Sequence, residues 1–290
     1  MPGATDQDLG PVRPLDPADL PACLNLAAGR GWPREDVKWR FALAAGSMFG
    51  VDDPGGGLAA TVAVTRYEPG LAVIGLLLVA ARRGRRGLGQ RLTEHALAWA
   101  GGRVVYLYAT PDGRPLYEAL GFRVLDHVTR HTGTFRAGPP GGGAPGDGPV
   151  LRPPVPADQA EVLALDRAAF GARRASSLGA LARLADQVVV AADDRGIAGH
   201  GMAWRNLDVL AIGPLVARDD ATALALIQTM AAQADGPVRL DVPARHARVS
   251  RWLAERGVRP AVPDPLMSYQ GRTLPGERDQ LYALFMQALG

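Results

Sequence analysis

Cysteine is nearly missing from these 290 residues, Cys23 being the only one. No intramolecular disulfide can form and no cysteine-based zinc site can be assembled, so a reducing cytoplasm is the expected compartment and no metal site is expected. Lysine is almost as scarce: Lys38 stands alone. The pI near 9.3 therefore reflects arginine used in place of lysine, because the formal net charge is only +3. That excess does not by itself imply nucleic acid. Long apolar runs are also lacking. Nothing approaches the roughly 18–20 residues that cross a bilayer, and the opening MPGATDQDLG has neither the basic nor the apolar region of a secretory signal, so it reads as a short disordered head. No membrane partner is expected.

What is present is ordinary for a globular protein, with 47% hydrophobic and 21% charged residues, and the length suggests two domains. The stretch AGPPGGGAPGDGP at 137–149 is built of Gly, Pro and Ala with one Asp and has no surface to bury, which marks a linker. It predicts a first unit over 1–136 and a second over 150–290. Their openings are alike: VRPLDPADLPACLNLA and VLRPPVPADQAEVLALDRAAF each give a short strand, a Pro-Ala-Asp helix start and an amphipathic helix.

The first half continues with a helical stretch and the runs SMFGVDD, LAATVAVTRY and LAVIGLLLVA, joined by turn residues into an antiparallel meander. A helix over Leu88–Ala100 follows, with Leu88, Leu92, Ala96 and Trp99 on one face. Then come the strand RVVYLYA, the short helix RPLYEAL closed by Gly121, and the strand FRVLDHV. The order β-α-α-β-β-β-α-β-α-β predicts an α/β fold, a twisted mixed sheet flanked by helices.

Between the third of those runs and the long helix lies ARRGRRGLGQRL, residues 81–92. A helix start offers unpaired N–H donors and the positive end of the dipole, and Gly84, Gly87 and Gly89 allow the chain to fold around an anion. No carboxylate precedes Glu94, while Arg82, Arg83, Arg85 and Arg86 add charge. The spacing fits neither a dinucleotide fingerprint nor a Walker loop. A phosphate cradle and a solvated basic turn both fit the segment taken alone.

In its setting the segment resembles the GNAT superfamily of acyl-CoA N-acyltransferases. VAARRGRRGLG matches that family's strand-to-helix motif at Val79, Gly87 and Gly89, and ATPDGRPLYEALGF resembles its second block at Leu116, Tyr117, Gly121 and Phe122. Ala81 stands where the family usually has Pro, and Gly84 where it has Gln or Arg. The resemblance implies pyrophosphate held by backbone amides from Gly84, Arg85, Arg86, Gly87, Leu88, Gly89 and Gln90, with Arg83 or Arg85 compensating for the missing side chain. It also implies a pantetheine arm running along Leu77, Leu78 and Val79, with the Val79 amide facing the oxyanion and Arg114 near the cofactor. Tyr117 would be the general acid, protonated at neutral pH because a phenol titrates near 10. No cofactor beyond acetyl-CoA or another acyl-CoA is implied.

A general base is not evident, since LAVIGLLLVA holds no carboxylate. Glu68, Asp112 and His127 are candidates by proximity only, and each also reads as a turn or surface residue. For the acceptor, Trp32 and Tyr67 are the expected contacts, with Tyr106 and Tyr108 near by.

The second half repeats the pattern without the chemistry. Its strand-to-helix junction, VLAIGPLVARDDATALALIQ, lacks the glycine pair and places Asp219 and Asp220 where they would cap the helix and repel a phosphate. Gly257 corresponds to Gly121, which puts Leu253 where Tyr117 stood. This half resembles the degenerate C-terminal domain of tandem GNAT proteins. We expect it to close the acceptor pocket, by pairing VLAIGPLV with the first sheet or through His200, Trp204, Arg205 and Asp208. The expected activity is transfer of an acyl group to a primary amine of a small molecule or peptide by a monomer or homodimer. The alternatives are a non-catalytic CoA-binding module and a transferase using a longer or carrier-bound acyl donor.

Overall fold

The computed structural model describes residues 9–138 and 148–290. Most of the Gly/Pro linker and the head therefore lie outside the described residues. The first half runs β1 (Arg13–Leu15), α1 (Leu20–Ala28), α2 (Asp36–Ala45), β2 (Ser47–Asp52), β3 (Leu58–Tyr67), β4 (Leu71–Val79), α3 (Leu88–Ala100), β5 (Val104–Tyr108), α4 (Arg114–Ala119) and β6 (Phe122–Gly133). This is the order expected from the sequence. The second half runs β7 (Val150–Arg152), α5 (Gln159–Phe170), α6 (Ala175–Ala182), β8 (Gln187–Asp193), β9 (Gly196–Asn206), β10 (Val209–Ala217), α7 (Asp220–Ala231), β11 (Val238–Pro243), α8 (Ala247–Glu255), β12 (Arg259–Pro260), β13 (Asp264–Tyr269) and β14 (Leu281–Ala283). Among the described residues no helix is long and apolar enough to cross a membrane.

The repeated openings fold alike because the same pair of side chains ties each together. Arg13 grips Asp19 at 2.8 Å and Arg152 grips Asp158 at 2.6 Å. Asp19 and Asp158 also accept the backbone N–H three residues upstream, of Asp16 and Val155, satisfying a donor that a helix start leaves free.

β2, β3 and β4 form the antiparallel meander, and β5 joins β4 in parallel. Strands β3 and β4 are buried along nearly their whole length, which is why they read as continuous apolar runs rather than alternating ones. On α3 the buried stripe is Leu88, Leu92, Ala96 and Ala100. Trp99, expected on that face, is 40% exposed. Four-residue steps from Leu88 arrive at Ala100, and Trp99 falls to the edge, where it packs on Phe49 under Arg66.

The two halves share one sheet through an exchange of their last long strands. β13 of the second half inserts between β5 and β6, and β6 of the first half pairs in turn with β11. The expectation that VLAIGPLV would reach the first sheet is corrected here: β10, which holds it, pairs with β9, β11 and β14. β10 is a central strand with partners on both sides, whereas each last strand emerges free to add to an edge. Apolar clusters spanning the junction join Tyr67, Tyr106, Phe170 and Leu266, and Phe41, Trp204 and Phe285. Within that junction Asp166 and Arg174 form a bidentate pair at 2.8 and 2.9 Å, both nearly inaccessible to solvent.

Candidate active site

β4 and β5 pair only from Leu71–Val104 to Ile74–Leu107 and then part, opening a wedge along Gly75–Val79. At its apex Leu76 takes a left-handed φ of 49°, a conformation that costs a branched side chain energy and needs support from its surroundings. Thr61 supplies it, its hydroxyl donating to the Leu76 carbonyl at 3.0 Å. Further along, Ala80 N–H donates to Ala59 O at 2.8 Å. Because successive strand amides face opposite sides, the Val79 N–H is turned away from β3, toward the open wedge.

The wedge leads to the start of α3. Gly87 is the N-cap with φ 78°, no side chain caps the helix, and its first turn carries no acid. The amides of Leu88, Gly89 and Gln90 thus begin the helix without intrahelical partners. Gly89 permits a close approach, since a Cβ there would lie 2.9 Å from Leu116 of α4. Gly84 has an ordinary φ of −62° and room for a side chain. The arginines are less alike than the sequence suggests. Arg82 and Arg83 both clasp Asp53, at 3.0 and 2.9 Å, and Arg83 foremost holds that carboxyl well below the usual range. Arg83 is thus committed to a structural pair rather than standing in for the missing side chain at 84. Arg85 adopts φ 59°, and Arg114 pairs with Glu118 at 2.7 Å.

Tyr117 lies on the buried face of α4, 7% exposed, edge-on to Phe122 with ring centroids 5.6 Å apart. Burial alone pushes its phenol above the ordinary value, which keeps it protonated across the physiological range.

Beside the wedge apex is a cavity of about 370 Å³ walled by both halves. From the first half it is lined by Trp32, Glu35, Lys38, Gly75, Leu76, Tyr108, Thr110 and Arg130, and from the second by Trp204, Asn206, Arg239, Asp241, Asp264 and the segment 284–288. Glu35 binds Lys38 at 2.7 Å and Asn206 at 2.6 Å. Burial opposes its charge, but Lys38, Asn206 and Arg239 outweigh burial and hold its carboxyl low. Asp241 binds Arg239 at 2.8 Å and faces Arg130 at 3.6 Å. Two buried polar atoms on this wall, Trp204 Nε1 and Asn206 Oδ1, have no hydrogen-bond partner among the described residues, one a donor and one an acceptor, an arrangement that suits a polar guest.

Of the expected acceptor contacts, Trp32 lines this cavity and Tyr67 does not. Tyr67 is buried in the junction, its hydroxyl donating to Leu289 O at 2.8 Å. Trp204 faces the cavity, whereas Arg205 pairs with Asp235 on the surface and His200 is buried 3.5 Å from Asp166. Arg130, Asn206, Arg239, Asp241 and Asp264 were not singled out by sequence. Their only common signal is a charged or amide side chain, and the strand exchange that gathers them has no local signature.

The second half lacks the counterpart of this arrangement. Asp219 caps α7 by accepting Thr222 N–H at 2.8 Å, as expected, and Asp220 occupies the first turn. β10 and β11 also part early, but β14 pairs with β10 at Leu215 and Val216 and closes that wedge.

Comparison with known proteins agrees in both halves. A model of the acetyltransferase (GNAT) family matches residues 20–122, and one of an acetyltransferase (GNAT) domain matches residues 162–283. The chain is 28% identical over 271 residues to the uncharacterized N-acetyltransferase YitH of Bacillus subtilis, covering 92% of this chain and 94% of that one. A solved protein from Pyrococcus horikoshii superposes with a TM-score of 0.78 at 20% identity, over 100% of this chain and 99% of the other. A tandem GNAT protein from the clavulanic acid biosynthesis pathway gives 0.66 at 16% identity, over 92% and 99%. At these identities the solved structures speak for the fold.

Proposed function

The chain belongs to the GNAT acetyltransferase family in both of its halves, and from that premise we propose that it is an acyl-CoA-dependent N-acyltransferase whose chemistry resides in the first half. Residues 1–136 are the catalytic unit, and 150–290 are a degenerate copy that walls the acceptor cavity. The donor is acetyl-CoA or a related acyl-CoA, and the acceptor is a primary amine of a small molecule or peptide. One observation carries this reading: in the first half β4 and β5 stop pairing at Ile74, with an uncapped helix start beyond one end of the unpaired stretch and a charged cavity at the other, while in the second half β14 pairs with β10 at the matching place.

The donor's phosphates fit the amides from Arg85 to Gln90, at the positive end of the α3 dipole. Its pantetheine arm adds along the free edge of β4 at Leu77 and Val79, as an extended chain pairs with a sheet edge. Acyl-CoA supplies an activated thioester carbonyl. The Val79 N–H, facing the wedge, donates to the oxygen that becomes negative when the amine attacks. Tyr117 protonates the departing thiolate. Trp32 and Trp204 border the acceptor, and Tyr67 acts structurally through the junction.

The test is release of free thiol from acetyl-CoA with a panel of primary amines, in the wild type and in Tyr117→Phe. Amine-dependent release that the variant loses supports the reading. Tight acetyl-CoA binding without release on any amine would assign the chain to a CoA-binding module.

A further inference from the structure

The first half has no carboxylate on β4 to receive the acceptor's proton, yet an amine reaches its site mostly as ammonium and must lose that proton before it can attack. We propose that Asp264, carried into the first half's sheet by the exchanged strand β13, is the group that accepts it. This rests on the acyltransferase reading above.

Three carboxylates line the cavity: Glu35, Asp241 and Asp264. Glu35 is paired with Lys38 and Asp241 with Arg239. Such carboxylates are poor bases, because each neighbouring cation favours the charged form. Asp264 makes no ion pair among the described residues, and its side chain accepts one hydrogen bond, from Gln287 Nε2 at 3.1 Å. It stands at the closed end of the wedge. Ala109, at the end of β5, donates its N–H to Pro265 O at 3.0 Å, which sets Asp264 where β5 diverges from β4 and on the same cavity as Gly75 and Leu76 at the wedge apex. Burial, more than any neighbour, raises its pKa, moving it in the direction a base working near neutrality requires. The charged groups around it are Arg130 on β6, Arg239 and Asp241 on β11, Glu35 at the N-cap of α2 and Lys38 within it. The phenol of Tyr108 on β5 lines the same space.

The ammonium gives one proton to the Asp264 carboxylate, and its freed lone pair forms the new C–N bond at the thioester carbon. The C–S bond breaks with its electron pair leaving on sulfur, and the thiolate takes the Tyr117 phenolic proton. The tyrosinate recovers a proton from the nitrogen that has become an amide, and Asp264 returns its own to water.

The experiment follows kcat and thiol release against pH for the wild type, Asp264→Asn and Asp264→Glu. Asparagine keeps the shape and should lower kcat at pH 7 by about 10²–10⁴-fold while the dissociation constant for acetyl-CoA stays within twofold. Wild-type activity should fall as acid protonates Asp264, that limb should vanish in the asparagine variant, and glutamate should restore part of it. An acceptor whose ammonium is already deprotonated at pH 7 should be far less sensitive to the change. Should Asp264→Asn lose acetyl-CoA binding, Asp264→Ser takes its place under the same readings. A variant within threefold of wild type that keeps the acid limb overturns the assignment alone. A wild type that releases no thiol with any amine overturns the acyltransferase reading and this assignment with it.

Discussion

The start of α3 and the start of α7 occupy the same place in two copies of one fold, and they differ by what has been put there. α3 begins on Gly87 with its donors uncommitted; α7 begins on Asp219, whose carboxylate takes the Thr222 amide. The strands ahead of them differ in the same sense. β4 has no strand partner on the β5 side beyond Ile74 among the described residues, whereas β10 is covered by β14 and carries Pro214, which has no N–H to offer. On the proposed function, the second copy has its helix-start amides satisfied internally and serves as wall and strand donor.

The largest expected effect on donor binding sits at Gly87. A valine there must adopt φ 78°, which a β-branched residue resists, and its side chain would intrude where the phosphates approach. Acetyl-CoA binding should weaken by at least about 100-fold, equivalent to ~2.7 kcal/mol, measured by calorimetry, with little change in fold by circular dichroism. Unchanged affinity would remove the distinction between the two helix starts.

Next comes the junction that holds the retired copy in place. Removing the charge of Asp166 leaves Arg174 buried without its partner, so Asp166→Asn should cost about 3–5 kcal/mol, read from denaturant unfolding. The pH dependence has a definite sign. Burial opposes the Asp166 charge, but Arg174 and the nearby His200 more than offset it, so the folded pKa lies below the ordinary 3.8. Its stabilisation is therefore complete above the unfolded pKa and is lost as pH falls through the folded one. Unfolding of the wild type should grow easier in acid below about pH 4, and Asp166→Asn should show a flatter profile.

Tyr117 and Leu253 sharpen the contrast between copies. Tyr117→Phe should lower kcat by about 10²-fold, the low end for a general acid, with acetyl-CoA affinity retained. Leu253 is wholly buried in the second core, so Leu253→Ala should cost about 2–5 kcal/mol of stability and leave kcat per folded molecule unchanged. A smaller effect is expected at the cap: Asp219→Ala should cost about 1 kcal/mol without creating acetyl-CoA binding, because β14 still fills the wedge.

How far the sequence could carry this reading depended on range. The order of elements, the boundaries of α3, the aspartate cap of α7 and the turn at Gly121 all rest on residues within a few positions of one another, and all were legible. Asp264 was not. It acquires meaning only because β13 crosses to pair with β5 and β6, a choice made by edges more than a hundred residues away. Trp99 and Tyr67 show the same limit on a smaller scale. A helical stripe drifts by a fraction of a turn, which decides between Trp99 and Ala100, and Tyr67 is claimed by Leu289 from the far end of the chain.

Gly84 offers the finest test, because there the first half itself departs from the pattern it resembles. The family places Gln or Arg at this position, and the backbone here, with φ −62° and ψ 151°, would accept either without strain. A Cβ would meet only Ala81 O, at 3.4 Å. Glycine is therefore not required by the turn, and Gly84→Arg should fold normally. If the proposed phosphate site holds, its guanidinium would add a charge-assisted contact to a pyrophosphate bound by amides. At an exposed site such a contact is worth about 0.2–1 kcal/mol, so affinity for acetyl-CoA should rise by about two- to fivefold, and the gain should shrink as salt is raised from 50 to 500 mM, since added ions screen exposed charges. The same substitution at Asp219 should give no gain, its neighbours lacking both free amides and an open wedge. A Gly84→Arg protein that binds no better, with Arg82 and Arg83 still clasping Asp53, would mean that backbone amides alone already satisfy the phosphates.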